Sequence, residues 1–181
     1  RHPKVDHVFD HGIVKIEDEK FEILPLKGHS TGNIGIVTPE KVCFLGDSIF
    51  SEEIISKYNI PYLFDINDSI ATLNSIRNIN ADYFVVSHGE KIYERQELEV
   101  LVDRNLENID KYKQQIIDLL EQPMTREDLL ENLAILNDLD MDFKHYHLNF
   151  STVSAYIKHL RDEESIEFSL ENGRLYYYRK P

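Results

Sequence analysis

Short runs of apolar and β-branched residues, broken every few positions by charge, proline or glycine, fill the first third of the chain. They predict a meander of strands over residues 5–50. Gly12–Ile16 is the first clear strand, Glu17-Asp18-Glu19-Lys20 is the turn after it, and residues 21–26 form the next. Residues 33–37 and 41–45 flank Thr38-Pro39-Glu40 and read as a hairpin. Several of these runs are apolar on both faces, as expected of strands inside a sandwich.

The period then changes. Asn67-Asp68-Ser69 is a helix N-cap signal ahead of Ile70, Leu73 and Ile76, and residues 81–86 form a buried strand that leads to His88. Residues 96–121 carry Leu98, Leu101, Val102, Leu106, Ile109 and Ile116 at helical spacing. Gln122-Pro123-Met124 breaks that pattern, and Thr125 caps a further helix. A third helix covers residues 151–161, with Val153, Ile157 and Leu160 on one face. Two strands then flank Glu171-Asn172-Gly173, a strong hairpin turn. Helices followed by a two-stranded hairpin suggest a winged-helix-like domain. The expected organisation is a mixed α/β chain: a sheet domain at 1–95, a linking helix at 96–122 and a winged-helix-like domain at 123–181.

Charge and composition narrow the function classes. The 181 residues carry 20 Lys and Arg against 33 Asp and Glu, a formal net charge of −13. Such a surface disfavours nonspecific nucleic-acid or anionic-membrane partners, which bind through basic residues. The segment from Glu121 onward, which holds the helix a DNA-binding reading would use, has seven basic and twelve acidic residues. Packing or dimerisation is therefore the expected role of that segment. No run approaches the roughly 18 apolar residues of a membrane span. Cys43, the one cysteine, lies in the apolar run Val42-Cys43-Phe44-Leu45 and reads as a buried structural thiol in a cytoplasmic protein. The opening Arg1-His2-Pro3 has no start Met and suggests a truncated or proteolysed product.

The candidate chemistry lies in three motifs: Gly28-His29-Ser30-Thr31-Gly32, Phe44-Leu45-Gly46-Asp47 and Val85-Val86-Ser87-His88-Gly89. Each sets one potential metal ligand, His29, Asp47 or His88, after a strand-like run and beside a glycine that lets backbone or solvent approach. Imidazole and carboxylate together suit a borderline divalent ion such as zinc. Taken singly, each has a plainer reading. A histidine beside glycine is usually a turn residue, and Gly46-Asp47-Ser48 would be a turn whose Asp caps the segment beginning at Ser51-Glu52-Glu53. His145-Tyr146-His147 has a spacing that would put both rings on one face of a strand. It sits in the C-terminal segment and reads as coincidence, while His2, His7, His11 and His159 show no spacing signal.

In order and setting the three motifs resemble the second half of the metallo-β-lactamase-fold hydrolases, over residues 5–93. The resemblance implies the C-terminal half of an αββα sandwich, with His29 in a first metal site, His88 in a second and Asp47 bridging them. Ser30 and Thr31 would stand nearby as supporting or substrate-contacting groups. It further implies two zinc ions and a metal-activated water that attacks an ester, thioester, lactam or phosphodiester of a small-molecule substrate. Some members of this family also carry a winged-helix tail. The family's earlier His-x-His-x-Asp-His cluster is absent from these residues, so the chain alone is expected to bind metal weakly and to be inactive. Half a sandwich leaves one sheet face without cover, which calls for a missing N-terminal half or self-association. The competing reading is a noncatalytic binding or assembly module that works through the winged-helix-like domain.

Overall fold

Strand β4 (Val42–Gly46) pairs in parallel with β5 (Tyr83–Val86), and the two helices that connect them lie on one side of the sheet. These are α1 (Glu52–Lys57) and α2 (Ile66–Ile76). The remaining strands extend the sheet in antiparallel fashion. On one flank lie β1 (Gly12–Ile16), β2 (Glu19–Pro25) and β3 (Ile34–Val37), and on the other β6 (Ile92–Glu94). The order across the six strands is β1-β2-β3-β4-β5-β6. The chain continues through α3 (Arg95–Leu119), α4 (Arg126–Asn137) and α5 (Phe143–Asp162) to the hairpin of β7 (Ile166–Glu171) and β8 (Arg174–Arg179). This computed structural model describes residues 8–180. The expectations for residues 1–7 and 181, including His2, His7 and the first positions of the meander, lie outside the described residues.

Strand periodicity divides the sheet into two faces. Cys43, Leu45, Phe84, Val86 and Tyr93 point toward the helices and are buried. The Cys43 thiol is fully buried and pushed up to about 12, so it is inert packing, as the sequence suggests. Register places Ile23, Ile36, Phe44, Val85 and Ile92 in one row across β2 to β6 on the opposite face. No described element covers that row, and Phe44 and Ile92 are 48% and 60% exposed. Among the described residues, no helix is long and apolar enough to cross a membrane.

Arg95 fastens the start of α3 to the sheet. Its guanidinium donates to the carbonyls of Arg77, Ile79 and Ala81 and lies 4.5 Å from the centre of the Phe84 ring. From α3 the buried core continues without interruption into Leu129, Leu133, Val153, Tyr156 and Leu160 of the last helices. The hairpin closes at Asn172 and Gly173, both with positive φ, as the Asn-Gly signal predicts.

Two expected boundaries move. Helix α2 is capped by Asp65, whose carboxylate accepts from the Asp68 N–H, two residues ahead of the Asn67 signal. Helix α5 begins at Phe143, eight residues before the expected Ser151, with Asp142 as its cap. His145 and His147 therefore lie on a helix, and the strand reading of their spacing is wrong. Strand β6 carries no clear strand signal in the sequence, being three residues long.

Asp65 also receives the Lys158 ammonium of α5 at 2.8 Å, which ties the sheet's helical layer to the last helix. Burial alone would raise the Asp65 carboxyl, but the hydrogen bonds from Lys158 and the helix N–H groups win and hold it below the usual range. Asp65→Ala is expected to destabilise the fold by about 1–2 kcal/mol, the ordinary loss for a helix cap. Because the folded value is lowered, this contribution is complete above the reference value of 3.8 and disappears as pH falls below it. Urea unfolding of the wild type and the variant at neutral pH and near pH 3 should show the difference shrink in acid.

Candidate metal centre

Because β4 and β5 are parallel, and β2 is antiparallel to a strand that is itself antiparallel to β4, all three run in the same direction. Their C-terminal ends therefore meet at one edge of the sheet, where α/β folds gather ligands. His29 follows β2, Asp47 follows β4 and His88 follows β5. The structure brings the three side chains together. Asp47 stands between the histidines, with Oδ2 4.0 Å from His29 Nε2 and Oδ1 3.6 Å from His88 Nε2.

Each turn is built for its place. Gly28 has φ +131, and a Cβ there would come within 2.6 Å of the Ser69 Cα on α2. Only glycine allows the His29 loop to lie so close to the helix. Its carbonyl accepts from the N–H groups of Phe64 and Asp65, and Thr72 donates to the neighbouring Lys27 carbonyl. At the other end of the loop, Asn33 donates its side-chain amide to the Leu26 carbonyl. Gly46, with φ +57, turns the chain at an irregularity in the β4–β5 register. Its carbonyl accepts from the Ser87 N–H, which binds the Asp47 turn to the His88 turn. His88 itself holds φ 59, a left-handed conformation of the kind that gathers at functional sites.

The segment after Asp47 is fixed from α3. Buried Asn105 accepts from the Phe50 N–H and donates to the Phe50 carbonyl, both at 2.9 Å. Phe50 and Tyr62 then pack edge-on against the His29 ring. The Tyr62 carbonyl, 3.2 Å from His29 Nδ1, can only accept, so Nδ1 carries the proton. In the neutral ring this leaves the Nε2 lone pair facing a carboxylate oxygen, an arrangement of two acceptors that a cation between them would relieve.

Magnitudes support a fit. Zinc bonds to nitrogen and oxygen are each about 2.0–2.2 Å, so two of them span at most about 4.3 Å. Both measured separations lie within that reach. The three donors do not close on one point, however, and among the described residues no group of three or more His, Cys, Asp or Glu side chains is placed to hold a single ion. Each histidine instead pairs separately with one oxygen of the Asp47 carboxylate. His88 and Asp47 are open to solvent, with side-chain exposures of 71% and 39%.

Ser30 and Thr31 are exposed on the His29 loop and do not line the pocket beside these residues. That pocket, about 740 Å³ in volume, reaches residues the motifs do not contain: Lys57 and Tyr58 of α1 and its C-terminus, and Lys144, His145 and Asn149 of α5. His145 thus shares a pocket with the motif residues while His147 does not, and the spacing of the pair plays no part in the site. No local pattern could have placed it there, because its position depends on how α5 docks.

No protein-family model matches this sequence, and no curated protein resembles it closely enough to be matched. Solved structures are similar. A metallo-beta-lactamase family protein from Thermus thermophilus aligns over 98% of this chain with a TM-score of 0.72 and 17% identity. A beta-lactamase domain protein from Burkholderia ambifaria aligns over 98% with a TM-score of 0.78 and 15% identity. The chain spans 56% and 53% of those two structures, about half of each. The likeness shows the fold: a mixed α/β arrangement of the metallo-β-lactamase type.

Gly28→Ala tests how closely the His29 loop depends on its contact with α2. The strained φ and the backbone clash together are expected to cost at least about 2 kcal/mol. In thermal unfolding the variant should melt well below the wild type, while Gly32→Ala, where a Cβ meets nothing within 4 Å, should not.

Proposed function

We propose that this chain is the C-terminal half of a metal-dependent hydrolase in which His29 and His88 each hold one zinc ion and Asp47 bridges the two. The observation that carries this reading is the Asp47 carboxylate, each oxygen of which faces a different imidazole. The Tyr62 carbonyl orients His29 so that its free nitrogen points at the site. When bound, such ions make water nucleophilic near neutral pH and polarise the bond to be cleaved. The residues of this chain would set the ligand positions, exclude bulk water through Phe50 and Tyr62, and supply the pocket for a small ester, thioester or phosphodiester.

The remaining donors would come from a second layer that covers the open sheet face. The row of Ile23, Ile36, Phe44, Val85 and Ile92 supports this, since an apolar row of that extent marks a surface meant for burial. The two structural neighbours are about twice as long as this chain, which leaves room for such a layer. In this reading α4, α5 and the hairpin form a winged-helix-like domain whose role is packing. Its acidic balance argues against a nucleic-acid partner.

Zinc uptake followed by native mass spectrometry tests the assignment in a protein that contains both layers. Two zinc ions are expected in the wild type, and Asp47→Ala should lose at least one ion together with hydrolysis. If the variant kept both ions and its activity, the bridging role of Asp47 would be wrong.

A further inference from the structure

The pocket beside His29, Asp47 and His88 has walls of two kinds. Phe50, Ile54, Ile60, Pro61, Tyr62 and Leu148 make it largely apolar. Lys57, at the end of α1, and Lys144, in the first turn of α5, supply the cations of its lining. Among the described residues neither lysine has a carboxylate within ion-pair distance, a condition they share with Lys20, Lys27, Lys41 and Lys111, and what sets them apart is that both line this pocket. The Lys57 ammonium lies 5.1 Å from the centre of the Tyr58 ring, which lines the same pocket. Glu53 and Asp47 are the carboxylates of the same lining, and Asp47 is the one assigned to metal.

The α5 wall is held firmly. The Leu63 N–H donates to Thr152 Oγ1, Lys158 pairs with Asp65, and Asn67 bonds both His159 and Asp162. These contacts fix α5 against the loop between α1 and α2, so Lys144, His145 and Asn149 face the pocket as part of a built surface. The N-terminus of this helix is capped by the Asp142 carboxylate, which also lies 2.9 Å from His145 Nδ1, so the two lysines are the cations that an anion would meet there. A volume of about 740 Å³ suits a small molecule rather than a polymer.

We propose that Lys57 and Lys144 bind the anionic end of a small amphiphilic substrate, a carboxylate or a phosphate, whose apolar body lies along Phe50, Ile60 and Leu148. The identification of its other end as the scissile bond rests on the hydrolase reading above; the anion subsite does not. Helix α5 is on this account a determinant of specificity, and His145 and Asn149 are polar neighbours of the same anion.

The test uses the whole chain free of metal and titrates it with octanoate, octyl phosphate and octanol, following histidine and aromatic signals by NMR. At low ionic strength at least one of the two anions is expected to bind about tenfold more tightly than octanol, the scale of one charge-assisted contact. It should shift the His145 signals. Lys57→Gln combined with Lys144→Gln should remove that advantage, with circular dichroism confirming the fold. Octanoate and octyl phosphate separate a carboxylate site from a phosphate site, and equal affinity would indicate one site that accepts both. Anions that bind no better than octanol, unchanged affinity in the double variant, or shifts confined to Phe44 and Tyr83 on the open sheet face would overturn the proposal. If wild-type protein containing both layers takes up no zinc while the anion preference stands, the hydrolase reading alone fails; if it takes up two ions while the preference is absent, the anion subsite alone fails.

Discussion

The parallel pairing of β4 with β5 is the constraint from which the rest of the site follows. An antiparallel partner would have sent His88 to the far edge of the sheet, away from Asp47. A parallel pair needs a long crossover, and here α1, the 58–65 loop and α2 fill it. That crossover covers one sheet face and supplies the surface on which the His29 loop rests, through Gly28 against Ser69. The hydrogen bond from the Ser87 N–H to the Gly46 carbonyl then joins the two ligand turns directly. The donors are held by backbone before any ion is considered, which lowers the ordering cost of binding.

The same crossover governs the pocket. Its loop presents the Tyr62 carbonyl to His29 on one side and donates the Leu63 N–H to Thr152 Oγ1 of α5 on the other. A change in how α5 docks would therefore reach the His29 ring through a few covalent bonds of one loop. The Asp65–Lys158 pair and the half-buried His159–Asn67 contact lie on that path. Burial pulls the His159 imidazole below its ordinary value, against the opposing pull of Glu163, so this contact prefers the neutral ring. Folding is accordingly less favourable where that ring must carry charge, below the reference value of 6.5.

Much of this was legible in the sequence because the decisive signals were local. Strand-like runs that end in glycine located the turns of His29, Asp47 and His88, the Thr125 cap and the Asn172-Gly173 turn were found where expected, and Cys43 is buried as its apolar run implies. What escaped was chosen by tertiary contacts. Asp65, Asn67, Asp68 and Ser69 all have capping side chains, and the choice of Asp65 follows from the bonds of Phe64 and Asp65 to the Gly28 carbonyl. The start of α5 was hidden because Lys144, His145, Tyr146 and His147 carry no apolar stripe. The amphipathic pattern begins only at Leu148, where the helix turns toward its neighbours.

The incomplete donor set and the open apolar row have a common physical basis. Both lie at the boundary of the one layer that the described residues do not contain, the first at its edge and the second along its face. In the proposed assembly, the layer that buries Phe44 and Ile92 also brings the missing donors to Asp47 and the two histidines. Metal binding and association of the layers would then be linked, each strengthening the other by the same free energy. A half-sandwich of this kind would hold zinc poorly alone, without any defect in His29, Asp47 or His88, because the free energy that closes the site includes burial of a sheet face.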